Sequence, residues 1–66
     1  MDNISQKILK ILKSSEEPLE TREIESKMKG TTRSKIMYRL TDLRAEGKIK
    51  GKRISAGGKG VWVWWK

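Results

Sequence analysis

The sequence predicts a small α+β domain in which three helices are followed by a β-hairpin. Apolar residues recur at helical spacing up to residue 46, and the period changes to that of strands from residue 49. Glycine or proline stands near each predicted element end. The chain of 66 residues has room for one domain, residues 1–66, and this is the smallest arrangement in which each amphipathic face finds a partner.

The first helix is predicted over residues 4–14, where apolar residues from Ile4 onward recur at helical spacing with lysines opposite. Asn3 is the expected N-cap. Pro18 ends the segment, because proline lacks an N–H and disfavours helix in the residue before it. A short extended piece at 19–20 is expected to follow.

The second helix is predicted over residues 21–29, with Thr21 as its N-cap. Ile24 and Met28 form one apolar pair at i, i+4. Gly30 can take the left-handed conformation that stops a helix.

The third helix is predicted over residues 32–46, capped by Thr31 or Thr32 and ended by Gly47. Three apolar residues mark its buried stripe: Ile36, Leu40 and Leu43.

Residues 49–66 are predicted to form the hairpin, with strands at 49–55 and 61–66 and a flexible loop at 56–60. Side chains alternate along a strand, so Trp62 and Trp64 share one face. Because the chain has no phenylalanine to supply bulk, these two are expected to be packed. Trp65 is expected on the other face with Val61 and Val63, half-exposed and available for a dimer or partner contact.

The net charge of +8 is confined to the second half of the chain. Residues 1–30 carry six bases and six acids, whereas residues 31–66 carry ten bases and two acids, Asp42 and Glu46. A basic surplus on one part of a folded domain is typical of proteins that bind polyanions. A solubilising surface would normally mix both signs, as the first half does.

The third helix carries a polar face that could meet such a polyanion. A recognition helix enters the major groove of DNA and contacts base edges and phosphates mainly through its N-terminal residues. The candidate contacts on this helix are Thr32, Arg33, Ser34, Lys35, Met37, Tyr38, Arg39 and Thr41.

The spacing Ile36-x-x-x-Leu40-x-x-Leu43-x-x-x-Gly47-x-Ile49, preceded by Thr21-x-x-Ile24-x-x-x-Met28, resembles the winged helix-turn-helix superfamily. The resemblance covers essentially the whole chain; it is specific for the fold and hardly specific for the target. It implies a three-helix bundle with a helix-turn-helix and a C-terminal wing. In that superfamily the helix matching 32–46 usually enters the major groove, and the hairpin loop reaches the backbone or the minor groove.

The predicted wing is itself strongly basic. Five cations lie around a glycine-rich tip with no acid among them, and glycines allow the backbone to approach phosphates closely. Lysines on edge strands also block aggregation, and both roles can hold together. The candidate wing contacts are Lys50, Lys52, Arg53 and Lys59.

Three other functions compete with DNA binding: catalysis, protein interaction, and nonspecific binding of RNA or single strands. An enzyme is not expected, because the chain has no histidine or cysteine, and Asp42 is better explained by an ion pair with Arg39 or Lys35. For the same reason no metal, other cofactor or small-molecule substrate is expected. A protein-interaction winged helix, or a nonspecific binder of RNA or single strands, stays open.

The sequence therefore predicts a duplex DNA-binding protein, most consistent with a transcriptional regulator. A lone helix and wing bury roughly 600–1,000 Å², which favours a homodimer on DNA. With no apolar run that could span or target a membrane, the expected location is the cytoplasm, in association with the nucleoid.

Overall fold

The computed structural model describes residues 2–66, which form three helices and a three-stranded antiparallel sheet. The predicted α+β class is thus confirmed, and the short strand before the second helix joins the hairpin in one sheet. The elements are α1 (Asn3–Ser14), β1 (Leu19–Glu20), α2 (Thr21–Ser26), α3 (Arg33–Ala45), β2 (Lys50–Ala56) and β3 (Lys59–Trp65).

The start of α1 lies one residue earlier than predicted, because Asp2 and not Asn3 is the N-cap. The carboxylate of Asp2 accepts a hydrogen bond of 2.8 Å from the backbone N–H of Ser5. Its carbonyl accepts the first helical bond, from the N–H of Gln6 at 3.0 Å. Two of the acceptor sites that a helix start requires therefore come from Asp2.

The N-cap of α2 is Glu20, so the assignment of Thr21 to that position was wrong. Glu20 and Glu23 form a reciprocal capping box, in which each side chain accepts from the other's backbone N–H. Thr21 is then the first helical residue and is 5% exposed. Its hydroxyl is therefore available to accept a hydrogen bond inside the core.

The end of α2 also differs from the prediction, since the helix ends at Ser26 and not at residue 29. From Lys27 on, the backbone closes by i→i+3 bonds, including Met28 N–H to Glu25 O at 3.1 Å. This tighter turn leaves Met28 buried in the core. Gly30 then takes a φ of 86°, as predicted.

The third helix has Thr32 as its N-cap, one of the two predicted candidates. It ends at Ala45, and Gly47 takes a φ of 75° just beyond it. The N–H of Lys48 donates to the carbonyl of Leu43 at 2.9 Å, which satisfies one of the last helical acceptors. The chain then enters β2 within a few residues.

In the sheet, β3 is the central strand and pairs with β1 and β2 on either side. The first strand of the hairpin lies one residue later than predicted, the second begins two residues earlier, and the loop is shorter. Ala56 pairs with Lys59, so the predicted loop at 56–60 is in fact a two-residue turn. Gly57 and Gly58 have φ values of 62° and 80°, as a tight turn between twisted strands requires.

Helices and sheet enclose one core, to which every element except β2 contributes buried apolar residues. They are Ile8, Leu12, Leu19, Ile24, Met28, Ile36, Leu40, Leu43, Ile49 and Trp64. The predicted stripe of α3 is thus confirmed. Of the two tryptophans expected to pack, Trp64 is 2% exposed, whereas Trp62 packs against the core while half-buried.

The Trp64 indole links the sheet to α2. Its Nε1–H donates to Thr21 Oγ1 at 2.9 Å, a buried bond between residues far apart in the chain. Its ring stacks on that of Trp62, with centroids 5.2 Å apart. Across the strand pair, Gly51 leaves room for it, since a Cβ there would lie 2.5 Å from Trp64 Cε3.

We predict that Thr21→Val lowers the free energy of unfolding by about 1–3 kcal/mol, because it leaves a buried indole N–H without an acceptor while preserving shape. Thermal unfolding measures the change. Thr41→Val, at an exposed position, is the matched control and should stay within about 0.5 kcal/mol of wild type. Equal effects of the two substitutions would contradict the role assigned to the Thr21 hydroxyl.

Substitution by alanine should cost much more stability at Gly51 than at Gly60, although both glycines lie in strands. Gly51→Ala should destabilise the fold by about 1–3 kcal/mol, because the new methyl meets a packed ring. At Gly60 a Cβ would meet the Arg53 guanidinium, the end of an exposed flexible side chain that can move away. Denaturant unfolding of both variants tests this, and a smaller loss for Gly51→Ala would refute the packing argument.

Candidate nucleic-acid interface

The face of α3 opposite its buried stripe is polar and open to solvent. Ser34, Tyr38 and Thr41 are all exposed, with Tyr38 at 62%. Met37 lies on the shoulder, half-buried against the core. The helical spacing alone therefore correctly separated the two faces of this helix.

Two hydroxyls of the predicted set are already engaged within α3. Thr32 Oγ1 accepts from the N–H of Lys35 at 3.3 Å, which is its function as N-cap. Thr41 Oγ1 donates to the carbonyl of Met37 at 2.9 Å. Each oxygen keeps further hydrogen-bonding capacity, Thr32 as a donor and Thr41 as an acceptor.

Arg39 points toward α1 and forms an ion pair with Asp2, the residue that caps that helix. Its guanidinium carbon also lies 5.4 Å from the centre of the Tyr38 ring. Arg39 is thus committed to joining α3 to α1. The expected ion pair of Asp42 with Arg39 or Lys35 is not among those formed within residues 2–66.

The register of the hairpin divides the predicted wing cations between two faces. Arg53 pairs with Trp62, on the face that turns toward the helices, which we call the inner face. Lys50 and Lys52 pair with Trp65 and Val63, on the opposite or outer face. Lys59 has the same parity as Val63, but it lies at the end of β3 next to the turn, where it lines a depression together with Arg33 of α3. The predicted wing set is therefore not one surface.

On the inner face, arginines cover the sheet next to α3. The Arg53 guanidinium lies over Gly60, where a Cβ would be within 2.4 Å of its carbon and nitrogen atoms. Arg44, at the end of α3, donates from Nε to the carbonyl of Gly51 at 3.2 Å. Its guanidinium carbon lies 5.3 Å from the centre of the Trp62 ring.

Arg44 was not among the residues predicted for the site. It lies one turn after Leu40, on the flank of the buried stripe and just before the chain folds back into β2. This position suggests contact with the hairpin, but the contact can be assigned only once the direction of the hairpin relative to α3 is known.

A groove of about 540 Å³ separates the start of α3 from β3. Its lining residues are Glu20, Thr21, Arg22, Arg33, Met37, Lys59, Gly60, Val61 and Trp62. A second, shallow depression of about 530 Å³ lies on α3 itself and is lined by Arg33, Ser34, Met37, Tyr38, Thr41 and Asp42. Because Arg33 and Met37 border both, the exposed face of α3 and the groove form one continuous surface.

No known protein family, curated protein or solved structure matched the chain when it was compared with each. Within residues 2–66, no cluster of three potential metal-ligating side chains is present. None of the helices in that range has the length and apolar content that a bilayer-spanning segment requires.

The capping carboxylate of α1 predicts a specific acid sensitivity. Hydrogen bonds from the Ser5 backbone and hydroxyl, together with the neighbouring Arg39 guanidinium, lower the pKa of Asp2. A pKa that is lower in the folded than in the unfolded chain stabilises the fold above the unfolded value of about 3.9. This stabilisation is lost as the pH falls through the folded value.

We therefore expect Asp2→Asn, which keeps a good N-cap but cannot ionise, to flatten the fall in melting temperature between pH 5 and pH 2. Thermal unfolding followed by circular dichroism measures that slope. Asp42→Asn, at an exposed carboxylate of α3, serves as the control. An unchanged slope in Asp2→Asn would contradict the lowered pKa of the Asp2 carboxyl as the source of the acid sensitivity.

Proposed function

We propose that this protein binds duplex DNA as a small winged-helix regulator of transcription, with α3 in the major groove and the hairpin against the phosphate backbone. The observation that carries the proposal is the continuous surface joining the exposed face of α3 to the groove beside β3. The order of elements, with α2 and α3 around a tight turn and a hairpin behind, is compatible with that layout.

The charges on this surface favour a polyanion. Arg22, Arg33 and Lys59 line the groove, and Arg44 and Arg53 cover the neighbouring inner face of the hairpin. The carboxylates bordering the two depressions are those of Glu20 and Asp42. In the groove, Arg22, Arg33 and Lys59 outnumber the carboxylate of Glu20, which lies 4.0 Å from the Arg22 Nε, so the field over the groove is positive.

The shape of α3 suits the major groove. Its 13 residues make a helix about 20 Å long, and a helix about 10–12 Å across enters a groove about 12 Å wide. Ser34, Tyr38 and Thr41 project from its free face and are the proposed base-edge contacts. Arg33 and Lys35, at the exposed helix start, are proposed to meet phosphates together with Arg53 and Lys59.

The proposal departs from the sequence prediction at three cations. Arg39 is paired with Asp2, and Lys50 and Lys52 lie on the outer face of the sheet. The fit of a duplex to α3 and the inner face leaves these three side chains without a phosphate partner. The proposed phosphate contacts are accordingly reduced to four.

Binding of single strands or RNA through stacked bases is less well supported. The aromatic that lines the groove, Trp62, is half-buried, and its ring already lies against Trp64 and near the Arg44 guanidinium. Tyr38 is exposed, but the Arg39 guanidinium lies over its ring. Base stacking needs a free aromatic face. A competition between duplex and single strands of the same sequence tests this choice directly.

Four phosphate contacts predict that log K for a short duplex falls against log salt with a slope of about −3.6. Arg53→Ala should weaken binding to all sequences and reduce the magnitude of that slope by about 1. Lys52→Ala removes the same charge one residue away on the other face, and it should leave the slope unchanged, because salt screens charges beyond about 8 Å.

Fluorescence anisotropy with a labelled duplex, at protein concentrations far below any self-association, measures both slopes. If Lys52→Ala and Arg53→Ala reduce the slope equally, the assignment of the inner face to DNA is wrong. If wild type shows no salt-dependent binding to any duplex, the proposed function is wrong as a whole.

A further inference from the structure

A carboxylate lies on the surface of α3 that the proposed duplex would meet. Asp42 is exposed and borders the depression on the free face of this helix. It follows Thr41 directly and lies one turn beyond Tyr38, and both of these are proposed base-edge contacts. The other charged residues of α3 are all basic, namely Arg33, Lys35, Arg39 and Arg44. Asp42 is thus the single negative charge in the sequence of this helix.

This carboxylate has no partner among the ion pairs formed within residues 2–66. At the helical spacings of three and four residues, the one basic neighbour is Arg39, whose guanidinium is paired with Asp2. Asp42 also borders the depression between α3 and α1, where the other cation, Lys48, pairs with Glu46 at 3.4 Å. The ion pairs expected from the sequence therefore do not account for Asp42.

The position of Asp42 is electrostatically unfavourable in two ways. It lies in the last turn of α3, where the helix dipole favours positive charge. A duplex that approaches this face also brings phosphates toward the carboxylate, and like charges repel. Such a residue is compensated on DNA only where a base offers a hydrogen-bond donor to its oxygens.

We infer that Asp42 selects cytosine in the major groove, by accepting a hydrogen bond from the N4 amino group of that base. This inference rests on the proposed function, since it requires α3 to lie in the groove. In the major groove cytosine presents the N4 donor, whereas guanine and thymine present acceptors. Adenine presents a donor next to the N7 acceptor, which repels a carboxylate oxygen.

The carboxylate acts mainly by rejecting other sequences. At any other base its charge remains uncompensated beside the phosphates, so affinity falls for random duplex and for sites that lack the cytosine. The cations proposed to meet phosphates contribute affinity without base preference. Asp42 therefore lowers nonspecific affinity and in exchange supplies discrimination at one position.

Selection from a random duplex library, followed by fluorescence anisotropy on the selected site, tests this inference. The site chosen by wild type should contain a cytosine whose replacement by thymine weakens binding roughly tenfold. Asp42→Ala should bind these two duplexes equally, and it should bind random duplex roughly two- to fivefold more tightly than wild type. Asp42→Asn should shift the preference at that position toward adenine, because an amide can pair with both N6 and N7.

Glu46→Ala is the matched control, because it removes the same charge one turn later and outside the depression on α3. It should keep the cytosine preference. Circular dichroism of each variant confirms that it is folded.

The outcomes separate this inference from the proposed function. If every position of the selected site keeps its preference in Asp42→Ala, the inference is wrong and the proposed function stands. If wild type binds duplex with no base preference, the inference is wrong and duplex binding stands. If wild type binds no duplex at all, the proposed function is wrong and the inference falls with it.

Discussion

The buried indole of Trp64 joins the sheet to the helices, and the positions of the other elements follow from it. Its N–H donates to Thr21 in the first turn of α2, and its ring lies against Trp62 and opposite Gly51. Trp64, in the central strand, thus links α2 to the hairpin. A domain of 66 residues buries a smaller share of its surface than a larger domain does, so one large, fully packed aromatic matters more to its stability.

The orientation of Trp64 also decides which side chains face α3. With even-numbered residues of β3 turned inward, Trp62 meets Arg44, and Arg53 lies over Gly60 beside them. The same alternation turns Val63 and the lysines of β2 outward. The cations of the hairpin are thereby divided between an inner surface continuous with α3 and the outer face of the sheet.

The sequence by itself determined the order of elements, the buried stripe of α3 and the turns at Gly30 and Gly47, because these depend on local spacing and backbone conformation. It also identified the exposed face of α3, since a helix with one buried stripe has one free face. Tertiary structure alone decided the partners of Arg39, Arg44 and Thr21, each of which contacts a residue on another element. The division of the hairpin cations between two faces could be assigned only from the structure. Strand alternation assigns faces only once the register is known, and here the register is set by a two-residue turn.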